Sequence, residues 1–171
     1  MQINLTDILS NDLDFEKIEK TIMMDSIQFN KETIKVQDGV NLKLELRKIS
    51  SNEILLEGSL NTNLVLNCDR CNAEVKYPLG ADFSKEVRVD QLTKDNEDDF
   101  IEGYNLDLEK LAQNEIYLNF PMKILCKEDC KSICTTCGTN LNLQSCDCES
   151  DDIDPRLAGL KDLFNENFKE V

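Results

Sequence analysis

Eight cysteines and no histidine in 171 residues constrain this chain more than any other feature. Two stand together as Cys68 and Cys71. The other six, Cys126, Cys130, Cys134, Cys137, Cys146 and Cys148, fall within 23 residues. The N-terminus, Met1-Gln-Ile-Asn-Leu-Thr-Asp-Ile-Leu, has neither the basic start nor the apolar run of a signal peptide. No stretch approaches the ~20 apolar residues of a membrane span. A cytoplasmic location is therefore expected, where thiols stay reduced and structural disulfides are rare. Eight cysteines in such a compartment point to metal or redox chemistry.

Zinc takes four tetrahedral ligands, and sites built from four cysteines are the closed, structural kind. Eight cysteines fill two such sites with none left over. Cys134-Thr-Thr-Cys137-Gly138 has zinc-knuckle spacing: the turn aims amide N–H groups at the sulfurs, and glycine supplies the permissive backbone. Cys146 and Cys148 can complete that four-thiolate set. Cys68, Cys71, Cys126 and Cys130 remain as a second set, which would tie the strand region to the C-terminal segment. One site with four spare thiols fits the same spacing, so the expectation is one or two zinc ions. Structural zinc contributes roughly 10–16 kcal/mol in small zinc peptides. Residues 121–153 hold few large apolar side chains, so this segment is expected to depend on metal for its order.

Other uses of the thiols fit less well. Disulfides would need an oxidising compartment. A thioredoxin-type Cys68-x-x-Cys71 belongs in a βαβ pattern, whereas this pair lies between two alternating segments. Cys130-x3-Cys134-x2-Cys137 matches the cluster-binding spacing of radical-SAM enzymes, but those use a large (β/α) barrel that this chain lacks. Spacing alone leaves an iron–sulfur cluster open. An enzyme is not expected. There is no histidine, no glycine-rich phosphate loop and no paired serine and base. Four-cysteine ligation also leaves a metal no open position for a substrate, and no small-molecule substrate is expected.

The first half of the chain reads as strands. Leu42, Leu44 and Leu46 alternate with polar neighbours, and Ser50-Ser51-Asn52-Glu53 supplies a polar turn. Ile54, Leu56, Gly58, Leu60, Thr62, Leu64 and Leu66 then keep one parity, the signature of a half-buried antiparallel strand. Ala73, Val75, Tyr77 and Leu79 share a face; Pro78 and Gly80 are expected to break the run before Phe83, Val87 and Val89 resume it. Ile18 to Phe29 and Thr33 to Val36 predict further strands. Long twisted strands of this kind are expected to curl into a barrel-like sheet. The absence of Trp requires a core mainly of Leu, Ile and Val.

Two helices are legible. Leu108, Leu111, Ala112, Glu115 and Ile116 fit one helical face from about Asp107, with Pro121 beyond its end. Near the C-terminus, Asp154 is a candidate N-cap and Pro155 occupies a tolerated first position. Leu157, Leu160, Phe164 and Phe168 form its apolar stripe. The fold expected is α+β. An antiparallel, barrel-like β-rich domain (1–120) carries a packing helix near 107–118. A Cys-rich zinc-binding segment with a terminal helix (121–171) docks on it. The acidic run at 94–99 reads as a solvated loop.

Charge limits the partners. With 19 Lys+Arg against 34 Asp+Glu, the acidic chain carries −15 and is repelled at long range by nucleic acid and anionic membranes. No membrane partner is expected. In the cysteine-bearing stretches, however, Arg70 and Lys76 balance Asp69 and Glu74 within residues 66–79. Likewise Lys123, Lys127 and Lys131 balance Glu128, Asp129 and Asp147 within residues 120–148. Arg70, Lys123, Lys127, Lys131 and Arg156 are therefore the candidate partner-binding residues, against the alternative that they are ordinary surface charges.

The chain resembles the YceD family of large-subunit ribosomal RNA accumulation proteins. The likeness rests on four stretches in order: Leu64-Val-Leu-Asn-Cys68-Asp69-Arg70-Cys71; Glu115-Ile-Tyr-Leu-Asn-Phe-Pro121 leading to Cys126; Cys134-Thr-Thr-Cys137-Gly138-Thr-Asn140-Leu141-Asn142; and Ile153-Asp154-Pro155-Arg156-Leu157-Ala158-Gly159-Leu160. One departure is Ser132-Ile133 before Cys134, where a glycine-leucine pair is expected. Serine reaches positive φ less easily, so that turn is expected to differ. The resemblance implies a ribosome-biogenesis role in accumulation or processing of large-subunit ribosomal RNA, without catalysis. Its partners would be a large-subunit precursor, ribosomal RNA or a basic ribosomal protein. The rival reading is a zinc-ribbon adaptor or redox-sensing chaperone outside ribosome assembly.

Overall fold

A computed structural model describes residues 1–10, 15–29, 31–89 and 100–148. The chain divides into two compact units, Met1–Cys126 and Lys127–Val171. The acidic loop at 94–99, the C-terminal helix expected on Leu157 to Phe168, and Arg156 lie outside the described residues.

The first unit is mostly β. Its elements run β1 (Gln2–Asn4), α1 (Thr6–Ser10), β2 (Phe15–Ile22), β3 (Ser26–Phe29), β4 (Glu32–Lys48), β5 (Glu53–Asn67), β6 (Glu74–Arg88), β7 (Ile101–Glu102), β8 (Asn105–Asp107) and α2 (Leu108–Leu118). A five-stranded antiparallel sheet has the order β2-β4-β5-β6, with β3 also paired to β4. A smaller sheet has the order β1-β8-β7.

Period-two patterning sets the large sheet. Leu42, Leu44 and Leu46 of β4 and Ile54, Leu56, Leu60 and Leu64 of β5 are each no more than 1% exposed. They meet in register as Leu42↔Leu60, Leu44↔Gly58 and Leu46↔Leu56. Each such aliphatic burial stabilises by about 1.5–3 kcal/mol before entropy is counted. Phe100 is the aromatic among the largest fully buried side chains, the others being Leu and Ile.

Three expectations need correction. The sheets are open: among the described residues β2 and β6 end the large sheet and do not pair, so no barrel closes. The apolar face is covered by helices and returning chain instead, with Ile8 of α1 and Leu111, Ala112 and Ile116 of α2 joining the same core. Ile18 to Phe29 is not one strand but two, β2 and β3, laid end to end along β4. Conversely, Thr33 to Val36 is the start of one long strand to Lys48, with a bulge between Gln37 and Val40. There Asp38 and Gly39 have φ of 65° and 72°. A Cβ on Gly39 would lie 2.7 Å from the Ile22 carbonyl oxygen, which explains glycine at the bulge. Buried Thr62 donates its hydroxyl to the Gly39 carbonyl at 2.9 Å, satisfying both.

The third correction concerns β6, which runs through Pro78 and Gly80 without a break. Both residues lie on its solvent side, paired with Asn63 and Asn61. An edge strand tolerates proline because a missing N–H there costs no ladder bond.

Helix α2 follows Asp107, whose carboxylate accepts the N–H groups of Glu109 at 3.0 Å and Lys110 at 3.5 Å. This is the N-cap that satisfies otherwise orphaned donors. The buried face is Leu108, Leu111, Ala112, Glu115 and Ile116. Glu115 is an acid in that core. It forms a close ion pair with Lys85 Nζ of β6 at 2.6 Å. Lys85 Nζ in turn lies 5.3 Å from the Phe100 ring centroid.

Candidate metal centres

The polypeptide leaves β5 at Asn67 and turns back toward β6 within a few residues. Cys68 N–H bonds to the Ala73 carbonyl at 2.8 Å and Asn72 N–H to the Cys68 carbonyl at 2.9 Å, with Asn72 at φ 56°. The tight turn presents Cys68 and Cys71 side by side, both buried. Beyond α2, the chain passes the same turn. Asp69 N–H donates to the Ile124 carbonyl at 2.9 Å, and Ile124 N–H donates to Asp69 Oδ2 at 2.6 Å. This two-bond clamp brings Cys126 to Cys71, Sγ to Sγ, at 3.6 Å.

In the second unit, a loop from Cys134 to Cys148 is stitched by backbone bonds. Cys134 N–H reaches the Thr139 carbonyl at 2.8 Å, and Gly138 N–H the Cys134 carbonyl at 2.9 Å, with Gly138 at φ 73°. Leu141 N–H reaches the Ser132 carbonyl at 3.0 Å. Contrary to the expectation that this turn differs, Ser132 adopts φ 67° despite its side chain, so the turn before Cys134 keeps the positive φ that a glycine would have.

The sulfurs fall into two groups, Cys68, Cys71, Cys126 and Cys130, and Cys134, Cys137, Cys146 and Cys148. Within each group all ligand atoms lie within 4.8 Å of one another. Four sulfurs at zinc–thiolate distance in a tetrahedron stand about 3.8 Å apart, so either group could hold a metal ion. The groups differ in burial. Cys68, Cys71 and Cys130 are 2%, 6% and 4% exposed. Cys134, Cys146 and Cys148 are half-buried, and Cys137 is exposed.

The electrostatics of the quartets also fit a cation. Burial pushes the Cys68 thiol up, but N–H groups of Arg70, Cys126 and Cys71 outweigh it and bring its pKa down to about 6. Thr139 and the neighbouring thiols lower Cys137 to about 6. The N–H groups of Cys137 and Thr136 lower Cys134. The remaining thiols go the other way. Cys148, beside Cys137, is pushed up to about 12. For Cys146, the Cys148 N–H pulls down but the neighbouring Cys134 and Cys137 sulfurs prevail and raise it. Two thiolates placed this closely make further ionisation costly. A divalent cation would let all four ionise.

Asp69, Asn140 and Asn142 belong to this machinery but carried no role in the sequence reading beyond motif membership or charge. Asn142 donates Nδ2–H to Cys130 Sγ at 3.3 Å and accepts Lys131 N–H at 2.9 Å. Asn140 Oδ1 accepts from Asn142 N–H and Nδ2–H, both at 2.9 Å. An Asn-x-Asn closely following a knuckle is the one sequence signal that could have suggested them. Of the candidate partner-binding residues, Arg70 lies in the Cys68–Cys71 turn and Lys123 beside Ile124, both exposed. Lys127 and Lys131 are exposed in the second unit, Lys127 being 3.9 Å from Asp129. No described helix is long and apolar enough to cross a membrane.

No solved structure matches the chain. An uncharacterized protein of Mycobacterium tuberculosis is 27% identical over 139 residues, covering 78% of this chain and 67% of its own length. Two plant proteins called chloroplastic homologs of a large ribosomal RNA subunit accumulation protein are more distant. The maize protein is 26% identical, over 64% of this chain and 48% of its own. The Arabidopsis thaliana protein is 24% identical, over 74% of this chain and 49% of its own. The model of the family described as large ribosomal RNA subunit accumulation protein YceD matches residues 56–164, from near the start of β5 through both cysteine quartets, and the chain therefore belongs to the YceD family.

Proposed function

We propose that this protein is a non-catalytic ribosome-biogenesis factor that supports accumulation or processing of large-subunit ribosomal RNA, with two structural zinc ions. Family membership supports the role, and the grouping of every cysteine into one of two quartets carries the zinc reading. Each quartet is closed: four thiolates satisfy zinc and leave no position for substrate. Bound there, zinc would supply cross-linking rather than reaction chemistry. The exposed cations Arg70, Lys123, Lys127 and Lys131, together with Arg156, would face a large-subunit precursor, through its RNA or a basic ribosomal protein. Tight binding to naked RNA is not expected of a chain carrying −15, since phosphate-driven affinity needs several clustered cations.

The test is co-sedimentation of the protein with large-subunit precursor particles, beside a triple charge reversal at Lys123, Lys127 and Lys131. The reading expects association that the reversal weakens. Absence of the wild-type protein from the particles would defeat the ribosomal role; retention of the correctly folded variant would defeat the assignment of these lysines. A zinc adaptor or redox-sensing chaperone is the second reading, favoured by the exposure of Cys137. It expects zinc release on mild oxidation and no association with precursors.

A further inference from the structure

We propose that Asn142 is a positioning residue that couples the two metal centres, so that emptying the Cys134–Cys148 quartet loosens the hold on metal at Cys130. The proposal rests on reading both quartets as metal sites. Asn142 lies in the loop between Cys137 and Cys146, two ligands of one quartet, yet its side chain serves the other. Its Nδ2–H points to Cys130 Sγ at 3.3 Å, while its Oδ1 takes Lys131 N–H at 2.9 Å. The amide thus grips the backbone next to Cys130 with one end and the sulfur with the other.

Such a donor matters because Cys130 is buried, 4% exposed, where a thiolate has little water to solvate it. An N–H directed at a ligating sulfur both orients it and stabilises its charge. What holds Asn142 in place is local. Asn140 Oδ1 fixes its N–H, and Leu141 bonds back to Ser132. Ile133 and Leu143 are 41% and 84% exposed and Leu141 is half-buried, so packing alone holds the loop weakly. The loop therefore depends on the anchoring of Cys134, Cys137, Cys146 and Cys148. That quartet is also the more exposed of the two and the first that a chelator would reach. Losing metal there frees the loop, removes the Asn142 N–H from Cys130, and weakens the buried centre in turn.

The experiment uses the full-length, zinc-loaded chain, challenged with a chelator in the presence of an alkylating reagent, with modification mapped at each cysteine by mass spectrometry. Asn142→Asp keeps the acceptor for Lys131 N–H but removes the Nδ2–H donors to the Cys130 sulfur and to Asn140 Oδ1, while the Asn142 N–H bond to Asn140 remains. The expected result is alkylation of Cys68, Cys71, Cys126 and Cys130 about 10–100-fold faster than in wild type, the usual range for loss of an outer-shell partner. The Cys134–Cys148 quartet should change far less. C134S/C137S, which disables the outer quartet, should accelerate the same four cysteines. Far-UV circular dichroism verifies that its sheet is retained. In cobalt-loaded Asn142→Asp, the thiolate-to-cobalt band should move to longer wavelength, because a sulfur without its N–H is a stronger electron donor. Unchanged alkylation of the Cys68 quartet in Asn142→Asp, or an unmoved cobalt band, overturns the coupling. Alkylation of all eight cysteines before any chelator is added would instead defeat the metal reading itself.

Discussion

Replacing Asp69 with alanine isolates what positions Cys126. In the wild type two bonds join Asp69 to Ile124, backbone N–H to carbonyl at 2.9 Å and Ile124 N–H to the carboxylate at 2.6 Å. Alanine keeps the first and deletes the second, leaving the N–H of Ile124, a residue 9% exposed, without its acceptor. A hydrogen bond to a charged group contributes roughly 1.5–3 kcal/mol, and the exposure of Asp69 places this one at the lower end. Cys126 stands two residues beyond Ile124, with its sulfur 3.6 Å from that of Cys71. If the clamp sets that spacing, its loss appears as weaker metal binding. About 1.5 kcal/mol corresponds to a roughly tenfold higher Kd. The conservative variant D69N can accept the same N–H through its amide oxygen and should lose less. A zinc titration against a competing chromophoric chelator, with wild type, D69N and D69A ranked in that order of affinity, is the assay. Equal affinity of D69A and wild type would refute the reasoning and leave the backbone bond alone as the organiser of Cys126.

Two further outcomes follow from the charges. Zinc binding to the Cys134 quartet at pH 7 should release fewer than four protons, because Cys137, at about 6, is already largely ionised and Cys134 is lowered. Cys146, raised, and Cys148, at about 12, supply most of the protons, so affinity should fall as pH falls; calorimetry in buffers of different ionisation enthalpy counts them. In the core, Glu115→Ala should destabilise the protein by about 3 kcal/mol in urea denaturation, since it strands Lys85, 21% exposed, beside the apolar core. The paired replacement E115L/K85M should come close to neutral.

The sequence by itself determined what is local or compositional. Side chains alternate across a strand whatever its partner, so the parity of Leu42 to Leu46 and of Ile54 to Leu66 was readable without a fold. The face of α2 was readable for the same reason, at the helical period. The absence of histidine and the clustering of the eight thiols made them the candidate metal-binding residues, and their spacing suggested, beside a one-site alternative, the two sets that the structure gathers. Tertiary structure decided what depends on residues far apart in the chain. Only pairing along β4 splits Ile18–Phe29 into β2 and β3, and only an edge position lets β6 continue through Pro78. Whether the sheet closes is likewise set by what covers its apolar face, not by the alternation within any strand. The same holds at the candidate metal centres. Asp69 meets Ile124 across 55 positions of sequence, and Asn142 reaches Cys130 from within the other quartet's loop. Residue type fixes which atoms can donate or accept; the path of the backbone fixes which of them meet, and no periodicity encodes that path.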